Sequence, residues 1–213
     1  MTERKTKIKI CGITNIGDAR LSAELGAFAL GFNFYKKSPR YVTPDTAHSI
    51  CEKLSGGVLK VGVFVNENLN EILEIAKAVR LDAVQLHGEE SPEFSAKLKR
   101  SSDLLIIKAF RVSPDFVAEQ VLGYDVDAIL LDAFSKNAHG GTGHTFDWRI
   151  AKSVSASFPK MLLAGGMSAA NIADAINTVA PYGIDACSGL ESSPGVKDVG
   201  KLREFFAKAN GRL

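Results

Sequence analysis

The sequence predicts an α/β fold: a single (β/α)8 TIM barrel with parallel strands, formed by one domain over residues 1–213. Three observations point there. Eight short apolar runs recur along the chain, and segments of helical periodicity separate them. Polar or glycine-rich residues collect just past the ends of those runs. At 213 residues the chain lies at the compact end of this fold, which takes roughly 200–250 residues.

The first run, KIKICGIT at residues 7–14, alternates charged and apolar residues up to Cys11 and turns at Gly12. A strand of this kind delivers a thiol to its exit, where α/β barrels keep their chemistry. The runs AFALGFNF, LKVGVFVN, DAVQLHG, LLIIKAFRV, DAILLDAF, KMLLAGG and GIDACSG follow in order. Between them, NIGDARLSAELGA, TPDTAHSICEKLSG, NLNEILEIAKAVR and SAANIADAINTVA place apolar residues three and four apart, as amphipathic helices do.

Helix starts are marked at Thr43-Pro44-Asp45, Ser91-Pro92-Glu93 and Ser113-Pro114-Asp115, each with a hydroxyl to cap and a proline for the first turn. Gly26 and Gly123 stand where helices should stop. An open doubly wound sheet is the alternative. It normally has fewer strands at this length, and the first βα turn lacks the GxGxxG of a dinucleotide fold.

Composition narrows the function. Of the residues, 46% are hydrophobic and 23% charged, enough for one full core, and the net charge is only +2 with no block of like charge. A nucleic-acid binder would concentrate basic residues on one face, so that class is not expected. The opening MTERKTKIKI has no apolar run long enough for a signal peptide or a membrane span. Cys11, Cys51 and Cys187 form no CxxC pair, so neither a disulfide framework nor a zinc ribbon is indicated, and a cytoplasmic setting is expected.

At the strand exits the chain places Cys11, Arg40 in the loop after strand two, His87, Arg111 and Asp132. Gly165-Gly166 follow strand seven and Ser188-Gly189 follow strand eight. Singly, each has an ordinary reading: an inert thiol, a loop charge, a structural histidine, a turn. Together they outline a site. Loops seven and eight of such barrels hold phosphate through backbone N–H groups, and glycine lets the backbone approach the anion. The four histidines are too scattered for a metal site.

Several ordered segments, KICGIT, GFNFYKKSPRYV, VGVFVN, QLHGEE, ILLDAF, GGTGHTFDW, LAGGM and CSGLESSPGVKD, resemble the phosphoribosylanthranilate isomerase family of tryptophan biosynthesis. The resemblance implies a barrel without cofactor or metal, a small phosphorylated substrate, and an Amadori rearrangement. It implies no nucleic-acid or membrane partner, and a monomer or homodimer. Carried over by motif, it makes Cys11 the general base, Asp132 the general acid, and Arg40 the partner of the anthranilate carboxylate. Gly165, Gly166, Ser188 and Gly189 are implied as phosphate binders, and Asp185 as a contact to the sugar hydroxyls. The chain departs from the family pattern at Cys187, where serine is common, and at His144, where a basic side chain such as lysine is frequent.

A period of two puts Lys9 on the face of Cys11, one layer below, where an ammonium favours thiolate and Asp185 is a plausible partner. The same count puts Cys187 beside Cys11, within reach of an oxidative link. Rival readings are an aldose–ketose isomerase of histidine synthesis, whose pair of aspartates is not matched here, and a catalytically silent phosphate-ligand binder.

Overall fold

The computed structural model describes residues 5–54, 56–133 and 148–211. Among the described residues, eight strands form the barrel: β1 (Lys7–Cys11), β2 (Ala29–Asn33), β3 (Leu59–Phe64), β4 (Ala83–Leu86), β5 (Leu105–Val112), β6 (Ala128–Ala133), β7 (Met161–Leu163) and β8 (Gly183–Ala186). Each pairs in parallel with the next, and β8 returns to β1, so the sheet closes. The register sets Lys9 against Asp185 on one side of β1, and Cys11 against Gly31 on the other.

Among the described residues, seven α-helices cover the outside: α1 (Ile16–Glu24), α2 (Pro44–Glu52), α3 (Leu69–Val79), α4 (Pro92–Arg100), α5 (Trp148–Ser157), α6 (Ile172–Val179) and α7 (Val199–Ala209). Capping explains several starts. Thr43 and Ser91 accept the N–H of the residue three positions on, with Pro44 and Pro92 in the first turn. Asn15, Asn68 and Asp198 do the same for α1, α3 and α7. Gly26, at φ +100°, turns the chain out of α1.

The third expected start is corrected. No α-helix follows Ser113-Pro114; a turn leads instead to a short 3₁₀ helix at Ala118–Val121, ahead of Gly123. The buried apolar residues there are Phe116 and Val121, while Val117 and Leu122 are exposed. Positions five apart lie about 140° apart around a helix, so one helical face could not bury both. Val117 is extended, which breaks the turn before a helix can propagate.

The core has two layers. Ile8, Ile10 and their counterparts on the other strands pack outward against the helices. Inside the barrel, mostly small residues such as Ala29, Ala83, Ala109 and Ala164 meet around Val61, Leu130 and Leu162. Strands buried on both faces explain why each read as a short apolar run. β9 (Glu191–Ser193) and β10 (Val196–Lys197) form a small antiparallel hairpin after β8.

Candidate active site

A cleft opens at the C-terminal ends of the strands. Cys11, Arg40, Asp132, Asp185, Gly165, Gly166 and Ser188, predicted from the sequence, all line it. Gly189 stands one row behind, where a Cβ would collide with the carbonyl of Met167. His144 and the segment before Trp148 lie outside the described residues.

Cys11 ends β1 pointing into the barrel and is buried. Its thiol is held well below the usual range, first by a hydrogen bond with the Cys187 thiol, against the cost of burial, and then by the charges of Lys9 and Lys197. Cys187 is pushed the other way by the same bond and by burial, which makes it the proton-bearing partner. Lys9 lies one layer down, its Nζ 2.7 Å from Asp185 Oδ1. Burial works against the Lys9 charge, but Asp185 and Cys11 outweigh it and the ammonium is held firmly protonated. Burial pushes Asp185 up to about 7 even with Lys9 beside it.

Asp132 enters the cleft from the end of β6 and is buried. His87, just beyond β4, lies with Nε2 3.4 Å from Asp132 Oδ2. Gln85 Nε2 is 2.7 Å from His87 Nδ1, so with Gln85 donating, the ring proton sits on Nε2, facing the carboxylate. His87 thus stands beside the acid in the cleft wall, its Nε2 making no hydrogen bond of ordinary geometry.

Arg40 closes the cleft from the β2–α2 loop. It donates from Nε to Glu191 Oε1 at 2.9 Å and from Nη2 to Glu191 Oε2 at 2.7 Å. Lys197 Nζ reaches the same carboxylate at 3.0 Å, and the backbone N–H of Gly195 donates to it at 3.3 Å.

Across the cleft, the β7 and β8 loops present backbone. Gly165 and Gly166 adopt φ +88° and +63°, which lets the chain fold tightly against a bound group. Asn171 ties this loop down: its Nδ2 donates to the Gly166 carbonyl and its Oδ1 accepts the Ser168 N–H. Ser188–Leu190 form a single 3₁₀ turn beside it. A thiol, a carboxylic acid and an amide-lined rim in one cleft suit proton shuffling on a phosphorylated substrate.

Comparison with known proteins decides the family. The model of the N-(5'-phosphoribosyl)anthranilate (PRA) isomerase family matches residues 8–208. The chain belongs to that family. The Pelobacter propionicus N-(5'-phosphoribosyl)anthranilate isomerase is 52% identical over 200 residues, covering 94% of this chain and 93% of its own. Phosphoribosyl anthranilate isomerase from Thermotoga maritima superposes with a TM-score of 0.90 at 42% identity, covering 97% and 99% of the two chains. A further solved phosphoribosyl anthranilate isomerase, in complex with reduced 1-(o-carboxyphenylamino)-1-deoxyribulose 5-phosphate, superposes at 0.87 with 41% identity and the same coverage.

Sequence reasoning missed three site residues, Gln85, Glu191 and Lys197. Gln85 lies on β4 two positions before His87, which stands just beyond the strand, so their closeness was readable from strand period. Glu191 and Lys197 had no such signal. They meet only because Gly195, at φ +83°, turns the hairpin back on itself. Among the described residues, no cluster of three or more His, Cys, Asp or Glu side chains could hold a metal ion. No described helix is long and apolar enough to cross a membrane.

Proposed function

We propose that this chain catalyses the Amadori rearrangement of N-(5'-phosphoribosyl)anthranilate to 1-(2-carboxyphenylamino)-1-deoxyribulose 5-phosphate, an aldose–ketose isomerisation of tryptophan biosynthesis. The carrying observation is the pairing, in one cleft, of a thiol biased toward thiolate with a buried aspartate on a different strand.

Asp132 gives a proton to the ribose ring oxygen as the C–O bond breaks, leaving an iminium at C1'. That cation acidifies the C2' hydrogen, and the Cys11 thiolate removes it. The resulting enolamine tautomerises to the ketone. His87 stands beside the Asp132 carboxyl in the cleft wall. Lys9 and the Cys187 thiol favour thiolate at Cys11. The amides around Gly166 and Ser188 take the phosphate, Asp185 reaches the sugar hydroxyls, and Arg40 takes the anthranilate carboxylate. The assembly is a monomer or a homodimer.

The test is the fluorescence of freshly formed phosphoribosylanthranilate. Adding the protein is expected to speed its decay well above the spontaneous rate. Decay unchanged by the protein would remove the proposal.

A further inference from the structure

A buried carboxylate, Glu191, stands directly behind Arg40, and the Cys187 thiol also donates to its Oε1 at 3.8 Å. We propose that Glu191, braced by Lys197, is a positioning residue that aims Arg40 at a carboxylate on the substrate's aromatic ring, and so sets selectivity for an anionic arylamine over a neutral one. This rests on the isomerase reading above.

The guanidinium geometry is the first argument. Its five N–H groups form two edges, each able to grip a planar carboxylate with two parallel bonds. Glu191 occupies the Nε–Nη2 edge. The Nη1–Nη2 edge lies outside those bonds, on a residue that lines the cleft. Freed from Glu191, a four-bond side chain would spread over many rotamers, and the second edge would lose its aim.

Charge is the second. Glu191 faces two cations, Arg40 and Lys197, and the Lys197 side chain is 0% exposed. The trio carries one positive charge in excess, which faces the Cys11 thiolate as well as the cleft, and Arg40 is the member that lines the cleft. A planar fork suits a carboxylate, whereas the phosphate has backbone amides on the opposite rim.

The mounting is the third. Glu191 begins β9 and Lys197 ends β10, and the hairpin is pinned from both sides. Thr14 Oγ1 donates to the Gly195 carbonyl, and Asp18 Oδ2 accepts the Lys197 N–H at 2.7 Å. Lys201 Nζ, from α7, donates to the Glu191 carbonyl oxygen at 2.7 Å. Three separate elements thus fix one carboxylate. Glu191 is held ionised: burial opposes its charge, but Arg40 and Lys197 prevail.

The experiment is calorimetric binding of two ligands to wild type and to Glu191→Gln. One ligand is reduced 1-(2-carboxyphenylamino)-1-deoxyribulose 5-phosphate; the other is the same molecule built from aniline, without the carboxylate. Wild type is expected to favour the first. Glu191→Gln is expected to weaken that ligand on the order of 10- to 100-fold, the range of charge-assisted hydrogen bonds, and to leave the aniline ligand within about threefold. Equal weakening of both ligands means a merely structural role and overturns the assignment. Unchanged or tighter binding of the carboxylated ligand, the outcome if the added positive potential dominates, overturns it too. Should Glu191→Gln fail to fold, Glu191→Asp keeps the charge but shortens the reach, and the ratio of the two affinities is judged in the same way. Wild type binding neither ligand would instead sink the isomerase reading.

Discussion

Replacing Lys9 by methionine removes the ammonium beneath Cys11 while keeping an unbranched side chain of similar length. An ideal Cβ on Gly31 would lie 2.7 Å from Cys11 Sγ and 3.1 Å from Lys9 Nζ, so sulfur and nitrogen are less than about 6 Å apart. At an effective dielectric of about 20, unit charges at that separation interact by roughly 3 kcal/mol, about two pKa units. Asp185 offsets part of this, because the same substitution strips its partner, and burial then drives the carboxyl further toward the neutral form. Losing that negative charge returns some of the lost help to the thiolate. The expected net result in Lys9→Met is a rise of about one to two units in the Cys11 pKa. The assay is the pH dependence of iodoacetamide alkylation, read on the Cys11 peptide by mass spectrometry so that Cys51 and Cys187 do not contribute. The acid limb of kcat/KM should move up by the same amount. A Cys11 titration unchanged within about 0.3 units, or shifted down, refutes the electrostatic account.

Removing the acid or base, as Asp132→Asn or Cys11→Ala, is expected to cost at least ~10²–10⁴-fold in kcat, and a near-normal rate in either variant refutes the roles. Peroxide is expected to oxidise the Cys11 thiolate to a sulfenic acid, which the Cys187 thiol attacks with release of water, linking the two until a dithiol reductant returns activity. Peptide mapping that finds no Cys11–Cys187 link in the inactive protein refutes this; Cys187→Ser should form none. Gly189→Ala drives a methyl into the Met167 carbonyl, so the β8 turn must shift. It is expected to raise KM more than it lowers kcat, and an unchanged KM refutes the phosphate-rim assignment.

The strand rhythm was legible because parallel strands covered on both faces read as apolar runs, and because Thr43 and Ser91 announce their helices through hydroxyl–proline pairs. Ser113-Pro114 carries the same signature and no α-helix, since Phe116 and Val121 behind it do not share a helical face and Val117 is extended. Cys11, Asp132 and Arg40 were legible as polar groups at strand exits, and strand period put Lys9 on the face of Cys11 with Asp185 as a plausible partner, a pairing that the β1–β8 register supplies. Glu191 and Lys197 were opaque. Their meeting depends on a backbone turn and on docking against Thr14 and Asp18, residues far away in sequence.

The bond between Lys9 and Asp185 joins residues 176 positions apart, at the seam where the first strand meets the last. Bringing the ends of so long a segment together costs about 4–5 kcal/mol of chain entropy by the logarithmic scaling of loop closure. A chain emerging from the ribosome holds Cys11 and Lys9 together on β1 from the outset, yet the Cys187 thiol and the Lys197 charge that also favour thiolate come beside them only when β8 and the hairpin after it dock. Full proton-abstracting power is in this sense a property of the finished ring. The ripening of one sulfur's reactivity marks the moment the barrel shuts.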